Sequence, residues 1–197
     1  MLERAASADA PLDRGTIAAE AVAMLDEVGL DGFSLRKLAQ RLGVTAPAIY
    51  RHFPDKTDLL AEVVAMLFQR SLATVPACDS WQEWMRAFGR AIWDGQERTP
   101  CSAMLISQAE LDERYFIEKV TVIREALAPW ADAPVDLFRL QSAVQALISG
   151  WSMFAQTSYA PHIDRALDLR AAAFESLDAL IAGYEAGVTA HPSTGSG

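Results

Sequence analysis

The sequence predicts an all-α protein. Alanine occupies 35 of the 197 positions and asparagine none, and runs of β-branched residues are scarce. Apolar residues recur at intervals of three and four along most of the chain, which is the period of an amphipathic helix. The pattern predicts about nine helices in total, with three helices in a small N-terminal domain and the others in a larger helical part.

The composition excludes several classes of protein. Hydrophobic residues make up 51% and charged residues 22% of the chain, which is enough apolar material for a core and argues against overall disorder. No stretch reaches the ~18 apolar residues of a membrane span, and the first residues lack the apolar segment of a signal peptide. The two cysteines, Cys78 and Cys101, cannot build a disulfide framework. We therefore expect a cytoplasmic protein.

Capping residues define the N-terminal helices in order. The first helix is predicted to begin after Asp13 and to end at Gly29. A second begins after Ser34 and ends at Gly43, and a third begins after Thr45. Serine, threonine and aspartate accept hydrogen bonds from the first turn of a helix, whereas glycine allows the backbone to leave it.

The chain divides into four predicted segments. Residues 1–12 and 187–197 lack a hydrophobic pattern and are expected to be disordered tails. Residues 13–58 form a small N-terminal domain, and residues 59–186 form the larger domain. The helices expected from the end of the small domain onward lie at about 58–70, 81–98, 102–109, 112–128, from about 134, and 163–185.

Residues 34–56 have the pattern of a helix-turn-helix. Ala39 is small enough to let two helices approach, Gly43 permits a left-handed backbone in the turn, and Ile49 packs the second helix against the first. In such a motif the exposed side of the second helix enters the major groove of DNA.

The charge distribution favours the same interpretation. Residues 34–56 hold five basic residues and one acidic residue, although the whole chain has a net charge of -9. Positive charge that is concentrated at the contact surface attracts phosphates within the Debye length of ~8 Å. The alternative is a solvated helical hairpin that carries basic side chains and binds nothing.

Two stretches point to a known family. They are Leu35–Val44, which reads LRKLAQRLGV, and Ile49–Phe53, which reads IYRHF and is followed by Lys56. Together with the entry into the first helix, they make residues 13–63 closely resemble the N-terminal domain of the TetR family of bacterial transcription regulators. The resemblance implies a three-helix DNA-binding domain joined to a larger helical domain for ligand binding and dimerisation.

The resemblance also implies roles for individual residues. Arg36 would read a guanine through paired hydrogen bonds to O6 and N7, and Pro47 would contact a thymine methyl group. Tyr50, His52 and Lys56 would bind phosphates. The full set expected to contact DNA is Ser34, Arg36, Lys37, Thr45, Ala46, Pro47, Ala48, Tyr50, Arg51, His52 and Lys56.

Some positions within this set leave alternatives open. Ala46 and Ala48 carry methyl groups where relatives often have polar side chains that read bases, so the operator sequence is not predicted. For Lys37, and for Arg41 nearby, a solvated position is at least as well supported as a contact with DNA.

The larger domain is expected to hold an effector cavity, because the resemblance implies one. All five tryptophans lie between residues 81 and 151, and aromatic side chains beside neutral polar groups suit an apolar or aromatic effector. A packed core is the alternative for each of these side chains. The residues expected to line the pocket are Trp81, Trp84, Phe88, Met104, Gln108, Phe116, Gln145, Trp151 and Phe154, with Ser107, Ser149 and Ser152 as further polar candidates.

No metal or cofactor is expected. Magnesium-dependent recognition of tetracycline needs an imidazole in the pocket, and His162 and His191 lie near predicted helix ends or tails. Cys78 and Cys101 have no neighbouring base or partner in the sequence that would support a redox role.

The last two helices are expected to form a homodimer interface. They are too apolar to be solvated, and pairing them across a twofold axis makes a four-helix bundle. How this apolar surface divides between the subunit core and the interface is left open. The residues assigned to the interface are Phe138, Val144, Trp151, Phe174, Leu177 and Ile181.

The function predicted from these features is regulation of transcription. We expect a homodimeric repressor that binds a palindromic operator in double-stranded DNA and is released by a small apolar or aromatic effector, with no membrane partner. No catalytic residue is assigned, because the sequence lacks a Gly-rich phosphate loop, paired metal-binding histidines and a Gly-x-Ser-x-Gly motif. The alternative is a helical dimeric adaptor, or an enzyme-like protein that binds small molecules but not DNA.

Overall fold

The computed structural model describes residues 12–108 and 113–190, and within these ranges the chain forms ten α-helices, a short 3₁₀ helix and no strand. None of these helices is long and apolar enough to span a membrane. The helices are α1 (Arg14–Gly32), α2 (Leu35–Arg41), α3 (Ala46–Tyr50), α4 (Lys56–Leu72), α5 (Trp81–Arg98), α6 (Ser102–Gln108), α7 (Glu113–Leu127), α8 (Leu137–Ala155), α9 (Ala160–Asp164) and α10 (Leu169–Ala190), and the 3₁₀ helix is Ala128–Trp130.

The all-α prediction is confirmed, and so are the caps Asp13 and Ser34, whereas Thr45 precedes α3 without a side-chain capping hydrogen bond. The Thr16 N–H donates to Asp13 Oδ1 at 2.7 Å, and the Lys37 N–H donates to Ser34 Oγ at 3.3 Å. Gly29 has a φ of 66° and interrupts α1 where the sequence predicts its end, although residues up to Gly32 resume helical backbone.

The C-terminal helices differ from the prediction in their bounds. The predicted helix 163–185 is in fact two helices, because Asp168 caps a new one: its Oδ1 accepts from the Ala171 N–H at 2.8 Å. This helix, α10, continues to Ala190, so residues 187–190 of the expected C-terminal tail are helical. The rest of both expected tails, residues 1–11 and 191–197, lies outside the described residues.

The N-terminal domain is built around one core to which α1, α2, α3 and α4 all contribute. Ile17, Leu38, Ile49 and Phe53 are completely buried there. Leu105 of α6, which belongs to the larger domain, is completely buried in the same core. The two domains are therefore joined by shared packing as well as by α4.

The larger domain packs α5, α8 and α10 around a second core. Val144, Leu177 and Ile181 lie at its centre, so their assignment to a dimer interface is wrong. They are buried within the subunit because α8 and α10 each turn their most apolar side toward α5. Trp84 and Phe88 also fill this core, stacked at 5.1 Å between ring centroids, and so they do not line a pocket.

Candidate nucleic-acid interface and effector cavity

The turn between α2 and α3 has the geometry that the sequence predicts. Gly43 has a φ of 66°, and the Val44 N–H donates to the Ala39 carbonyl oxygen at 3.0 Å. Ala39 and Ile49 are buried where the two helices meet. The chain therefore reverses direction tightly enough for α3 to lie on α2.

Replacing Gly43 with alanine is expected to lower the free energy of unfolding by about 1–2 kcal/mol. A Cβ atom there would meet no described atom within 4 Å, so the loss comes from the left-handed backbone alone. The free energy would be measured by urea unfolding followed by circular dichroism. Gly15→Ala in α1 is the matched control and should cause no such loss; equal losses in the two variants would contradict this explanation.

The outer side of the helix-turn-helix carries exposed basic and polar groups. Arg36 and Lys37 project from α2, and Tyr50 of α3 is 51% exposed. Pro47 is exposed three residues before Tyr50, which places both on one side of α3. Of the remaining residues expected to contact DNA, Thr45 and Arg51 are exposed as well.

Three of the expected contacts are half-buried and held by neighbours. Ser34 is occupied as the cap of α2, the His52 carbonyl oxygen accepts a hydrogen bond at 2.6 Å from Arg14, and Lys56 Nζ lies 5.5 Å from the centroid of the Phe33 ring. These contacts hold each of the three residues next to the exposed residues of α2 and α3.

The two alanines of α3 lie on its inner side. Ala48 is only 7% exposed, which does not fit the expectation that its methyl group contacts DNA. Ala46 is half-buried against the core of the domain. In this helix of five residues, the buried side chains are Ala48 and Ile49, and they face the core of the domain. The outward side of α3 is formed by Pro47 and Tyr50.

Arg14 organises the domain in a way that the sequence did not indicate. Its guanidinium donates to Asp58 and to Glu62 of α4, each at 3.0 Å, as well as to the His52 carbonyl oxygen. The Arg14 guanidinium also lies 4.0 Å from the centroid of the Phe53 ring. Hydrogen bonds to Asp58 raise the pKa of Arg14. The start of α1 is thus fixed to the end of α3 and the start of α4.

Arg41 belongs to the scaffold of the domain. Its Nε donates to Glu20 Oε1 at 2.7 Å, and its terminal nitrogens bond Glu27. These hydrogen bonds raise the pKa of Arg41, and the bonds that Glu27 accepts raise it most. Both partners lie on α1, so Arg41 holds α2 against α1, a role that neither alternative considered from the sequence describes.

A cavity of about 220 Å³ lies where α1 of the small domain meets helices of the larger one. Its apolar part includes the buried side chains of Val22, Val64, Phe68 and Ile92. The other residues that line it are Asp26, Leu67, Arg70, Ser71, Gly95, Gln96, Arg98, Thr99, Ser102, Tyr115 and Gln145. The cavity therefore touches the helix-turn-helix domain directly, through α1.

Polar groups in the cavity form a buried part and an exposed part. Gln96 and Ser102 are buried, and the Gln96 Nε2 donates to Ser149 Oγ at 2.8 Å. Gln96 Oε1 and Ser102 Oγ have no hydrogen-bond partner among the described residues. Asp26 and Arg70 also line the cavity and are exposed. Although the residue as a whole is exposed, partial desolvation of its carboxyl group raises the pKa of Asp26, and hydrogen bonding to Thr99 and the charge of Arg70 act in the opposite direction.

The pocket predicted from the sequence agrees with this cavity at Gln145 only, among the residues whose side chains the structure describes. Trp81 packs against the core of the larger domain, and Met104 and Phe116 are exposed. Trp151 and Phe154 lie on an open side of α8. The side chain of Gln108 is outside the described part, as is that of Ser107.

Gln96 could have been recognised from the sequence as a buried polar residue, but the prediction did not include it. Phe88, Ile92 and Gln96 follow each other at intervals of four in α5, so a polar amide occupies the buried side of an amphipathic helix. Such an amide needs hydrogen-bond partners in the interior and marks a candidate polar site.

Comparison with known proteins identifies the small domain. Residues 17–63 match the profile of bacterial regulatory proteins of the tetR family. An HTH-type transcriptional regulator from Saccharopolyspora erythraea is 29% identical over 184 residues, which cover 93% of this chain and 77% of the relative. Residues 17–63 therefore carry the N-terminal domain of the tetR family. The relatives are transcriptional regulators, which agrees with the prediction that the chain is not an enzyme.

The similarity to curated tetracycline repressors is confined to one end. Tetracycline repressor protein class A from transposon 1721 of Escherichia coli is 42% identical over 87 residues, which cover 41% of this chain and 40% of the repressor. The match thus spans about two fifths of the length of that relative.

Two solved structures resemble this one over most of its length. A single-substitution variant of TetR from Acinetobacter baumannii AYE, in complex with minocycline, superposes with a TM-score of 0.70 at 28% identity, covering 90% of this chain and 98% of the other. BioQ with its double-stranded DNA operator gives a TM-score of 0.58 at 25% identity, covering 85% of this chain and 99% of BioQ.

Proposed function

We propose that this protein is a transcriptional repressor of the TetR family that binds a palindromic operator as a homodimer and is released by a small effector. The observation that carries the proposal is the outer side of the helix-turn-helix, where Arg36, Tyr50 and Arg51 are exposed and the exposed Lys37 donates from its Nζ to the Gly32 carbonyl oxygen at 2.9 Å. Its place of action would be the cytoplasm, where the chromosome of a bacterium lies.

The open side of α8 supports the homodimer. Leu147, Gly150, Trp151 and Phe154 form a shallow apolar surface there, and a Cβ atom on Gly150 would meet no described atom within 4 Å. A second copy placed across a twofold axis would cover this surface and build a four-helix bundle with α10. The exposed side of α10 has small residues that permit close approach, namely Ala171, Ala179, Ala182, Gly183 and Ala186.

The position of the cavity supports control by an effector. A ligand there would contact Val22 of α1 and Val64 of α4, which are the two helices that carry the helix-turn-helix. If it bound one arrangement of these helices better than another, it would oppose DNA binding by a reciprocal coupling of ~1–3 kcal/mol. The two recognition helices of the dimer must lie ~34–36 Å apart to reach successive half-sites, so a change in this spacing would release the operator.

Two similar proteins have been solved with ligands of the two classes in the proposal, DNA and a small molecule. BioQ has been solved with a DNA operator, and the TetR variant with minocycline. For this chain we propose an effector with an apolar or aromatic body, because the buried valine, phenylalanine and isoleucine side chains in the cavity wall would pack against one.

The experiment that tests the proposal is footprinting of genomic DNA with the purified protein, which would yield the operator and the neighbouring genes. Protection of a palindromic site is the expected result. Absence of any DNA binding at low salt would favour the alternative, a helical dimeric protein that binds small molecules without DNA.

Arg36→Ala and Lys56→Ala are expected to affect DNA binding differently. Loss of Arg36 should reduce the preference for the operator over unrelated DNA by about tenfold or more, because a bidentate contact with guanine is removed. Loss of Lys56 should weaken binding to all sequences and reduce the salt slope by ~0.9, the value for one phosphate. Fluorescence anisotropy at several salt concentrations measures both quantities.

The control for these variants is Arg90→Ala, which removes an exposed arginine from α5 of the larger domain. It should change neither the preference nor the slope. If Arg36→Ala and Lys56→Ala changed both quantities equally, the separate roles proposed for base and phosphate contacts would be wrong.

A further inference from the structure

We propose that the cavity between α1 and the larger domain recognises a small uncharged compound with one hydroxyl group, held between Gln96 and Ser102. This inference rests on the proposed function, since it names the chemical class of the effector. It places the hydroxyl in the buried part of the cavity and the apolar body against Val22, Val64 and Ile92.

The hydroxyl is inferred from two buried polar atoms that belong to residues lining the cavity. Gln96 is 5% exposed and Ser102 is 6% exposed, yet Gln96 Oε1 and Ser102 Oγ have no hydrogen-bond partner among the described residues. Because Gln96 Nε2 is already bound to Ser149, the free end of the amide is an acceptor that needs a donor. A hydroxyl can donate to Gln96 Oε1 and at the same time accept from Ser102.

The absence of charge is inferred from the placement of the ionic groups. Within the part of the chain that the structure describes, the charged residues of the cavity are Asp26, Arg70 and Arg98, and all three are exposed. A carboxylate or an ammonium group beside Gln96 would lose its hydration, and none of the buried side chains that line the cavity carries an opposite charge. A neutral hydroxyl group loses much less hydration free energy than an ion when it enters the cavity.

The size of the ligand follows from the volume of the cavity. At about 220 Å³ it is smaller than the ~300–1,000 Å³ of sites that hold drug-sized molecules. A body of about one ring is therefore the fitting size, and phenol is the simplest probe of the class. Toluene has nearly the same shape and lacks the hydroxyl.

Binding of phenol and toluene would be compared by titration of the full chain, followed through the methyl NMR signals of Val22 and Val64. Phenol is expected to bind at least about tenfold more tightly than toluene, because toluene leaves both buried atoms without partners. Benzoate and benzylamine, the charged counterparts, are expected to bind more weakly than phenol. Toluene equal to phenol, tighter binding of either ion, or no phenol binding at millimolar concentration would overturn the inference.

Variants assign the preference to the two residues. Gln96→Leu and Ser102→Ala should each reduce the phenol-to-toluene ratio to about twofold or less, whereas Gln156→Leu, at an exposed position after α8, should preserve it. Circular dichroism checks that each variant folds, and the smaller Ser102→Ala change decides the matter if Gln96→Leu does not. An unchanged ratio in a folded Ser102→Ala variant would contradict the assignment.

The titrations use no DNA, so their outcome is independent of the proposed function. A chain that protects an operator but does not distinguish phenol from toluene would contradict this inference alone. A chain that prefers phenol through Gln96 and Ser102 but binds no DNA would contradict the proposed function alone.

Discussion

Gly150→Arg is expected to convert the protein into a folded monomer whose affinity for an operator is lower by about a hundredfold or more. The subunit should tolerate the change, because a Cβ atom at this position has open space around it. The dimer should not, because the guanidinium would be placed against the apolar side of α8 in a second copy, where it finds no counter-charge. A monomer reaches one half-site of a palindrome and loses the benefit of binding two together.

Light scattering after size-exclusion chromatography would give the mass of the Gly150→Arg variant, and anisotropy with operator DNA at fixed salt would give its affinity. The control is Ala131→Arg, which adds the same charge at an exposed position outside α8 and α10. This control should remain a dimer and bind DNA normally. A Gly150→Arg protein that is still dimeric would show that the open side of α8 is not the interface.

Arg14→Met is expected to lower the free energy of unfolding by about 2 kcal/mol. The variant keeps an unbranched apolar stem over Phe53 and removes the guanidinium that bonds Asp58, Glu62 and the His52 carbonyl oxygen. Two carboxylates of α4 would then lie beside each other without the cation between them. We expect the start of α1 and the start of α4 to separate more readily.

Urea unfolding would measure this loss, and hydrogen exchange would locate it. Amides in the first turns of α1 and α4 should exchange faster in Arg14→Met than in the unmodified protein. Arg41→Met is the matched control, because Arg41 also joins two carboxylates, of which Glu27 is exposed, whereas both partners of Arg14 are half-buried. A smaller loss is expected for the control, and an equal or larger one would show that the contacts of Arg14 have no special weight.

The helix-turn-helix was predictable because its determinants are local. Ala39, Gly43 and Ile49 lie within eleven positions, and each acts on its immediate neighbours in the chain. The same holds for Asp13 and Ser34, whose side chains bond the turn that follows them. Short-range hydrogen bonds and steric limits of this kind can be read from the order of the residues.

The cavity and the interface were predicted less well because they depend on how helices rotate against each other. Helices α8 and α10 are apolar on more than one side, so their periodicity does not tell which side meets α5 and which remains open. The sequence therefore did not show that Val144 and Leu177 face the core of the subunit, whereas Trp151 lies on the open side of α8. The partners of Arg14 were not predictable either, since Asp58 and Glu62 are 44 and 48 residues away in sequence.

The position of Leu105 limits how the first four helices can be transferred to another protein. It is a side chain of α6, yet it closes the core formed by the first four helices. A fragment cut after α4 would leave a hole where this leucine sits, and an apolar void of that size weakens a domain considerably. Chimaeras that join these four helices to the larger domain of another protein would have to include the leucine as well, or supply a side chain of equal volume.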